Sequence, residues 1–286
     1  MHIFIPNESK QTLGGGFTFI RNFTKYAERS GARVSVGSEI PVDAEILFIA
    51  GATMVRREMV VEARAKGMKI VLRVDNAPRN SRNRNTGTSR LRDFASMADM
   101  IVFQSEWAKG YLDPFLQADV PMPVILNGAD PEIFYGDGPA QPKEGMPQYL
   151  YAQYNRDETK QWHQAWYEFS MLARGLKNAH LWIVGNFSAE IQQYGFDFFM
   201  GERFTYTGVL DNPADFAEYL RATDTLLLPY YNDACSNVLI EARLCGVTDI
   251  KHNGTGGNNE IMDAPLHALR ADYMAGAYLT EFSNIV

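Results

Sequence analysis

The chain has 286 residues, 46% of them hydrophobic and 21% charged, with a net charge of −7. This is the ordinary composition of a soluble globular protein, with enough apolar material to fill one large domain or two small ones. No apolar run is long enough to span a bilayer, no charged-then-apolar leader follows Met1, and two cysteines without metal-ligand spacing argue against a disulfide scaffold and against a zinc site.

In chain order, Ile3–Pro6 reads as a strand. The glycine run Gly14-Gly15-Gly16 precedes a helical pattern over Phe17–Ser30. Strand-like runs follow at Arg33–Val36, Glu45–Ala50, Lys69–Val74 and Met100–Gln104, with helical patterns at Arg56–Lys66 and Thr88–Met97 between them. Such alternation with wholly apolar strands predicts a parallel sheet covered on both faces. Residues 136–147 hold three prolines and three glycines without periodicity, and read as a linker. The alternation then resumes: Tyr149–Gln153, a helix over Lys160–Leu172, Leu181–Val184, Phe204–Thr207, a helix over Asp215–Arg221, Thr225–Pro229, and a helix over Ser236–Cys245. The expected fold is α/β, with two Rossmann-like doubly wound domains, 1–135 and 148–286, facing a central cleft.

The charge is uneven. Residues 1–130 carry 17 basic and 14 acidic side chains, a net +3, which leaves −10 for the remainder. An anionic partner is therefore expected on the first domain. The arginine-rich stretch 73–92, with six arginines and four asparagines, could grip phosphates through charge and amide hydrogen bonds. The same stretch also reads as a solvated loop.

The segment D-A-C-S-N-V-L-I-E, residues 233–241, carries a carboxylate at each end. Ser236 is suited to cap the following helix. The amides of Ser236, Asn237 and Val238 would then open at the C-terminal edge of a parallel sheet, where they suit a phosphate. Glu241 could accept from a ribose diol, and Asp233 from sugar hydroxyls. These residues would fit a nucleotide at one end and a sugar at the other. The glycine run does not continue as G-x-G-x-x-G, because Phe19 stands at the last position, which argues against a dinucleotide oxidoreductase. No Asp-x-Asp motif indicates a metal.

This segment resembles the acid-x7-acid signature of retaining glycosyltransferases of the GT-B fold, most closely their family 4. Other stretches resemble that family in the same order. They are the glycine run, Val102–Trp107, Val124–Asp130 followed by Phe134, Leu181–Gly185, Phe204–Val209, and the glycine-rich turn Gly254–Glu260. The chain departs from the pattern in having Asp at 233, and in presenting Tyr154-Asn155-Arg156 then Lys160 where the family has a G-R followed by a K-G pair. It is also shorter than most relatives, which leaves the family's usual crossover of a C-terminal helix onto the first domain unassigned.

The resemblance implies sugar transfer from a nucleotide-sugar donor, UDP-sugar favoured and GDP-sugar the alternative, with retention and no further cofactor or metal. It implies donor binding by Gly15, Gly16, Arg156, Lys160, Ser236, Asn237, Val238 and Glu241. Asp233, Asp75, Arg156 and Lys160 are the candidate catalytic residues. Asp75, Asn76, Arg79, Arg82 and Arg84 are the candidate acceptor contacts. The acceptor is expected to be a small sugar, a glycan or a lipid-linked glycan. The alternatives are a phage-type enzyme acting on hydroxymethylated DNA bases, an epimerase on the same fold, and a non-catalytic nucleotide- or polyanion-binding module. The expected location is cytoplasmic, or the host cytoplasm if the chain is viral.

Overall fold

The structure is a computed structural model that describes residues 1–7, 14–75, 85–153, 158–199 and 203–286. The chain divides into two compact units, and they are not simple halves. Unit 1 comprises Met1–Asp130, Ala234–Ser236 and Asn259–Val286; unit 2 comprises Pro131–Asp233 and Asn237–Asn258.

Unit 1 is built on a parallel sheet of β1 (His2–Pro6), β2 (Arg33–Gly37), β3 (Ile46–Ile49), β4 (Lys69–Val74) and β5 (Met100–Phe103), in the order β2-β1-β3-β4-β5. β1, β3 and β5 are buried along their whole length because both faces of the sheet are covered. One face packs against α1 (Gly15–Arg29) and α10 (Ala271–Ser283). The other packs against α2 (Arg57–Ala65), α3 (Asn85–Ala95) and α4 (Glu106–Leu116). Residues on β4 alternate accordingly: Val71 belongs to the first face, Leu72 and Val74 to the second.

The C-terminal helix does return to the first sheet. Tyr278 and Phe282 of α10 interlock with Phe19 and Phe23 of α1 and with Phe48 of β3, at ring-centroid separations of 5.1 to 6.1 Å. Edge-to-face rings of this kind add to the free energy of area burial, which explains why the last helix completes unit 1 rather than unit 2.

Unit 2 repeats the plan. β6 (Gln148–Gln153), β7 (His180–Gly185), β8 (Phe204–Gly208), β9 (Thr225–Leu228) and β10 (Asp249–His252) form a parallel sheet in the order β10-β9-β6-β7-β8. Its helices are α5 (Trp162–Leu172), α6 (Ala189–Phe199), α7 (Pro213–Arg221) and α8 (Asn237–Leu244), and the short α9 (Asn258–Asp263) follows β10 in the chain. The buried Trp166 and Phe169 of α5 lie against Tyr151 and Tyr149 of β6.

The glycine- and proline-rich stretch 136–147, read from sequence as a linker, is fastened to unit 2. Gln141 donates to Glu218 at 2.7 Å, and Trp182 Nε1 donates to Glu144 at 3.2 Å. Lys143 pairs with Asp224, and Arg221 donates to the Pro139 carbonyl. Proline and glycine there serve an irregular path over the surface of the unit, and the chain passes between units at 130/131 instead.

His180 lies at the start of β7, 2.9 Å from Glu144 and 3.0 Å from Thr205 Oγ1. Burial pushes its pKa below the ordinary 6.5, against the pull of Glu144 and with a smaller contribution from Arg203. Protonation therefore favours the unfolded chain. The stability held by the neutral ring is complete above about pH 6.5 and is lost as the pH falls through the depressed folded value. The urea midpoint is expected to fall between about pH 7.5 and 5.5, and His180→Gln to flatten that slope.

Candidate active site

In each sheet one strand order reversal marks where connections diverge to opposite sides, and such points open a crevice at the carboxyl ends of the strands. In unit 2 the reversal lies between β6 and β9. Lys160 stands a few residues beyond β6, and Asp233 a few beyond β9. The two meet there: Lys160 Nζ lies 2.7 Å from Asp233 Oδ2, both side chains retaining a little under a fifth of their exposure.

Tyr230 forms the floor of this pair. Its ring lies 3.8 Å beneath the Lys160 ammonium, and its hydroxyl donates to the Ala152 carbonyl at the end of β6. A cation over a ring face in a partly desolvated site is held by the ring quadrupole as well as by its counter-ion. Burial, and then the charges of Asp233 and Glu241, push the Tyr230 phenol well above its usual range, so it stays neutral. The Tyr151 hydroxyl lies between Gln153 Oε1 at 2.7 Å and the Lys160 carbonyl at 2.9 Å, which fixes the backbone that carries the lysine.

Asp233 is held from the other side. Asn232, in the left-handed region with φ of 51°, donates its amide to Thr255 Oγ1 at 3.0 Å. The Asp233 carbonyl accepts the Gly257 amide at 2.9 Å. Gly256 has φ of +68°, and a Cβ placed there would sit 2.1 Å from the Asp233 carbonyl oxygen. The turn 254–257 can approach this closely only because Gly256 has no side chain. Ser236 directly precedes α8, and Asn237 begins the helix, so the amides of Ser236, Asn237 and Val238 belong to its first turn. Glu241 lies one turn further on and is 8% exposed.

In unit 1 the reversal lies between β1 and β3. Gly14, with φ of 119°, leads into α1, which Gly15 and Gly16 begin. A Cβ on Gly16 would touch Met54 Sδ at 3.3 Å. Beyond β3, a Cβ on Gly51 would lie 3.0 Å from Asp75 Oδ2 and 3.4 Å from Met54 Sδ. The glycine run, the β3 turn and Asp75 thus converge at one edge of the sheet. Arg73, only 2% exposed, holds that edge: it donates to the Ala50 carbonyl at 2.7 Å and to Asn127 Oδ1 at 2.9 Å, with its guanidinium 3.7 Å over the Phe19 ring. The Asn127 amide in turn lies 3.4 Å from Cys235 Sγ.

Of the residues expected from sequence, Lys160 and Asp233 are brought into contact, and Gly16 and Asp75 gather around Met54 with Gly51. Arg156, Asn76, Arg79, Arg82 and Arg84 lie outside the described residues. Tyr230, Gly256 and Arg73 were not singled out. Their signals were faint: an aromatic next to a strand end, a glycine pair after a strand, and an arginine on an otherwise apolar strand. Among the described residues no group of three or more His, Cys, Asp or Glu side chains is placed to hold a metal ion, and no helix is long and apolar enough to cross a membrane.

Comparison with known proteins bears on this arrangement. Residues 150–275 match the family model described as glycosyl transferases group 1. No curated protein matches the chain. Among solved structures, HepE of Anabaena in complex with UDP and glucose is 12% identical with a TM-score of 0.68, covering 99% of this chain and 91% of its own. Sucrose-phosphate synthase of Thermosynechococcus elongatus is 14% identical with a TM-score of 0.70, over 99% and 89%. A glycosyltransferase of Rickettsia africae is 12% identical with a TM-score of 0.68, over 99% and 88%. The chain therefore has two parallel-sheet Rossmann-like domains of the GT-B glycosyltransferase fold, with a match to the group 1 glycosyl transferases over residues 150–275.

Proposed function

We propose that the chain transfers a sugar from a nucleotide-sugar donor, a UDP-sugar by preference, to an acceptor hydroxyl with retention of anomeric configuration. The group 1 match and the GT-B neighbours support glycosyl transfer. Structures of HepE with UDP and glucose and with UDP-glucose support the donor class. The observation that carries the reading is the Lys160–Asp233 pair over Tyr230 at the strand reversal of unit 2.

In this reading the Lys160 ammonium, with Arg156, neutralises the charge that grows on the departing diphosphate. The first-turn amides of α8, from Ser236, Asn237 and Val238, add fixed dipoles to the same charge. Glu241 accepts from the ribose diol, and Asp233 from hydroxyls of the sugar; Gly15 and Gly16, at the start of α1, are kept as donor contacts by the family resemblance. The bond from the anomeric carbon to the diphosphate oxygen breaks as the bond to the acceptor oxygen forms on the same face. The acceptor proton passes to the leaving diphosphate, so no protein base is required. The chain's remaining task is orientation, and Asp75, at the unit 1 sheet edge, is the residue proposed to accept from the acceptor hydroxyl.

The test is UDP release from UDP-glucose and other UDP-sugars, with NMR of the product anomer. Asp233→Asn is expected to lower kcat on the order of 100-fold while donor affinity changes a few-fold. A chain that binds UDP but releases none from any donor is a binding module, and an inverted product removes the front-face mechanism. Free sugar of altered configuration without an acceptor marks an epimerase.

A further inference from the structure

The Tyr151 hydroxyl carries one hydrogen and faces two groups. It stands 2.7 Å from the side-chain amide of Gln153 and 2.9 Å from the Lys160 carbonyl. A phenol donates once. With Gln153 Oε1 turned to it, one of the two oxygens goes without a hydrogen. Gln153 Nε2, buried and with no partner among the described residues, then leaves both of its hydrogens unused as well. Half a turn about the last bond of the glutamine exchanges Oε1 and Nε2 and removes the conflict. Nε2 then donates to Tyr151 Oη, the hydroxyl donates to the Lys160 carbonyl, and two hydrogen bonds replace one. Burial, and after it the neighbouring Tyr230, pushes the Tyr151 phenol well above its ordinary range, so the hydroxyl keeps its hydrogen.

The start of this chain is rigid. Gln153 is the last residue of β6, 3% exposed and in register with Gly185 of β7. Its carbonyl accepts the Asn186 amide at 3.2 Å, and Gly185 leaves no room there for a Cβ. The Tyr151 ring is fully buried, edge-on to Trp166 at 5.5 Å and to Tyr230 at 6.3 Å. The far end needs holding. Gln161, directly after the lysine, lies in the left-handed region with φ of 51°, which L side chains rarely adopt. Just before that turn the Thr159 carbonyl accepts the Tyr231 amide at 2.7 Å, and the Lys160 carbonyl faces Tyr151.

We infer that Gln153 and Tyr151 are positioning residues for Lys160. A one-way hydrogen-bond chain, from Gln153 Nε2 through the Tyr151 hydroxyl to the Lys160 carbonyl, carries the rigidity of β6 to the lysine and keeps its ammonium beside Asp233 and over Tyr230. Both act through the lysine rather than on the donor. The inference rests on the reading of Lys160 as the group that meets the leaving diphosphate.

The experiment is steady-state transfer from a UDP-sugar by variants of the full chain, with a thermal melt of each. Tyr151→Phe keeps the packed ring and is expected to lower kcat about 10-fold, with the donor KM within about threefold of the parent. In a Lys160→Ala background the same change is expected to cost nothing further, because residues that act as a unit are not additive. Gln153→Glu is expected to give kcat a new pH dependence. Protonated, the carboxyl donates to Tyr151 Oη as the amide did. Ionised, it only accepts, and draws the phenol hydrogen away from the lysine carbonyl. Its kcat should therefore be close to the parent's at low pH and fall as the pH rises through a carboxyl pKa that burial holds above the ordinary value of about 4.3. Adding Tyr151→Phe should abolish that dependence.

A Tyr151→Phe enzyme with parental kcat, or one whose loss adds in full to that of Lys160→Ala, overturns the inference. So does a Gln153→Glu enzyme whose kcat follows the parent's pH profile. If the glutamate variant does not fold, the two Tyr151→Phe results decide. The chain is also read without substrate, by NMR of protein labelled with 15N at glutamine: a strong NOE is expected between the Gln153 side-chain amide and the Tyr151 hydroxyl proton, and its absence overturns the stated direction. A parent that releases no UDP from any donor removes the transferase reading, and the hydrogen-bond chain then stands or falls on that NOE.

Discussion

Lys160→Ala is expected to lower kcat/KM for sugar transfer on the order of 100- to 1000-fold, the usual cost of deleting a preorganised charge that meets developing anionic charge. Three features argue for an effect of this size. The ammonium is confined between Asp233 Oδ2 at 2.7 Å and the Tyr230 ring at 3.8 Å, so little reorganisation remains to be done when a diphosphate arrives. Its backbone is fixed by the Tyr151 hydroxyl. It also stands at the strand reversal of unit 2, the kind of point at which open α/β sheets bind ligands. Stability should fall as well, because the Asp233 carboxylate, less than a fifth exposed, loses its lysine partner and Tyr230 loses the cation over its ring. Lys160→Arg keeps the charge but alters its geometry, and should recover only part of the rate. Steady-state kinetics with a UDP-sugar and a thermal melt of each variant decide the matter. A Lys160→Ala enzyme within about threefold of the parent would remove the lysine from diphosphate stabilisation.

Gly256→Ala should damage both fold and activity although it adds one methyl group. The backbone sits at φ of +68°, which costs an L-residue roughly 1–2 kcal/mol. The new Cβ would stand 2.1 Å from the Asp233 carbonyl oxygen and 2.8 Å from the Asp233 nitrogen. These are backbone atoms, so the turn itself must move, at a further cost of about 1–3 kcal/mol. Moving it breaks the Gly257 amide bond to the Asp233 carbonyl and displaces the carboxylate that faces Lys160. A misplacement of about 1 Å can cost on the order of 100-fold in rate. The expected outcome is a melting temperature several degrees lower and transfer reduced on the order of 100-fold, with residual UDP binding. Parent-like melting and turnover would show that the turn is loose and that Asp233 is positioned by other contacts.

Much of the fold was legible because periodicity reports burial directly. Ile3–Pro6, Lys69–Val74 and Thr225–Leu228 are continuous apolar or nearly apolar runs, and each is a buried strand of a parallel sheet. The helix over α1 was legible from its apolar stripe. α4 was less so, since Gly110 and Pro114 interrupt a pattern whose apolar residues lie partly on an exposed flank. The segment 136–147 has the composition of a tether, yet its hydrogen bonds to Glu218, Trp182 and Arg221 tie it down. Composition reports the freedom of a backbone, not the partners that remove it.

The amino-acid sequence by itself determined the two runs of alternating strands and helices, the acids at 233 and 241, the glycine run before α1, and the likeness of their order to GT-B enzymes. Only the tertiary structure decided that Lys160 meets Asp233, that Tyr230 lies beneath them, that Gly256 buttresses Asp233, and that the last helix completes the first sheet. The reason is physical. Local patterns encode which face of an element is buried, because burial repeats with the period of the helix or strand. Contacts between side chains 73 residues apart depend on strand order, and β6 and β9 become neighbours only through the packing of the whole unit.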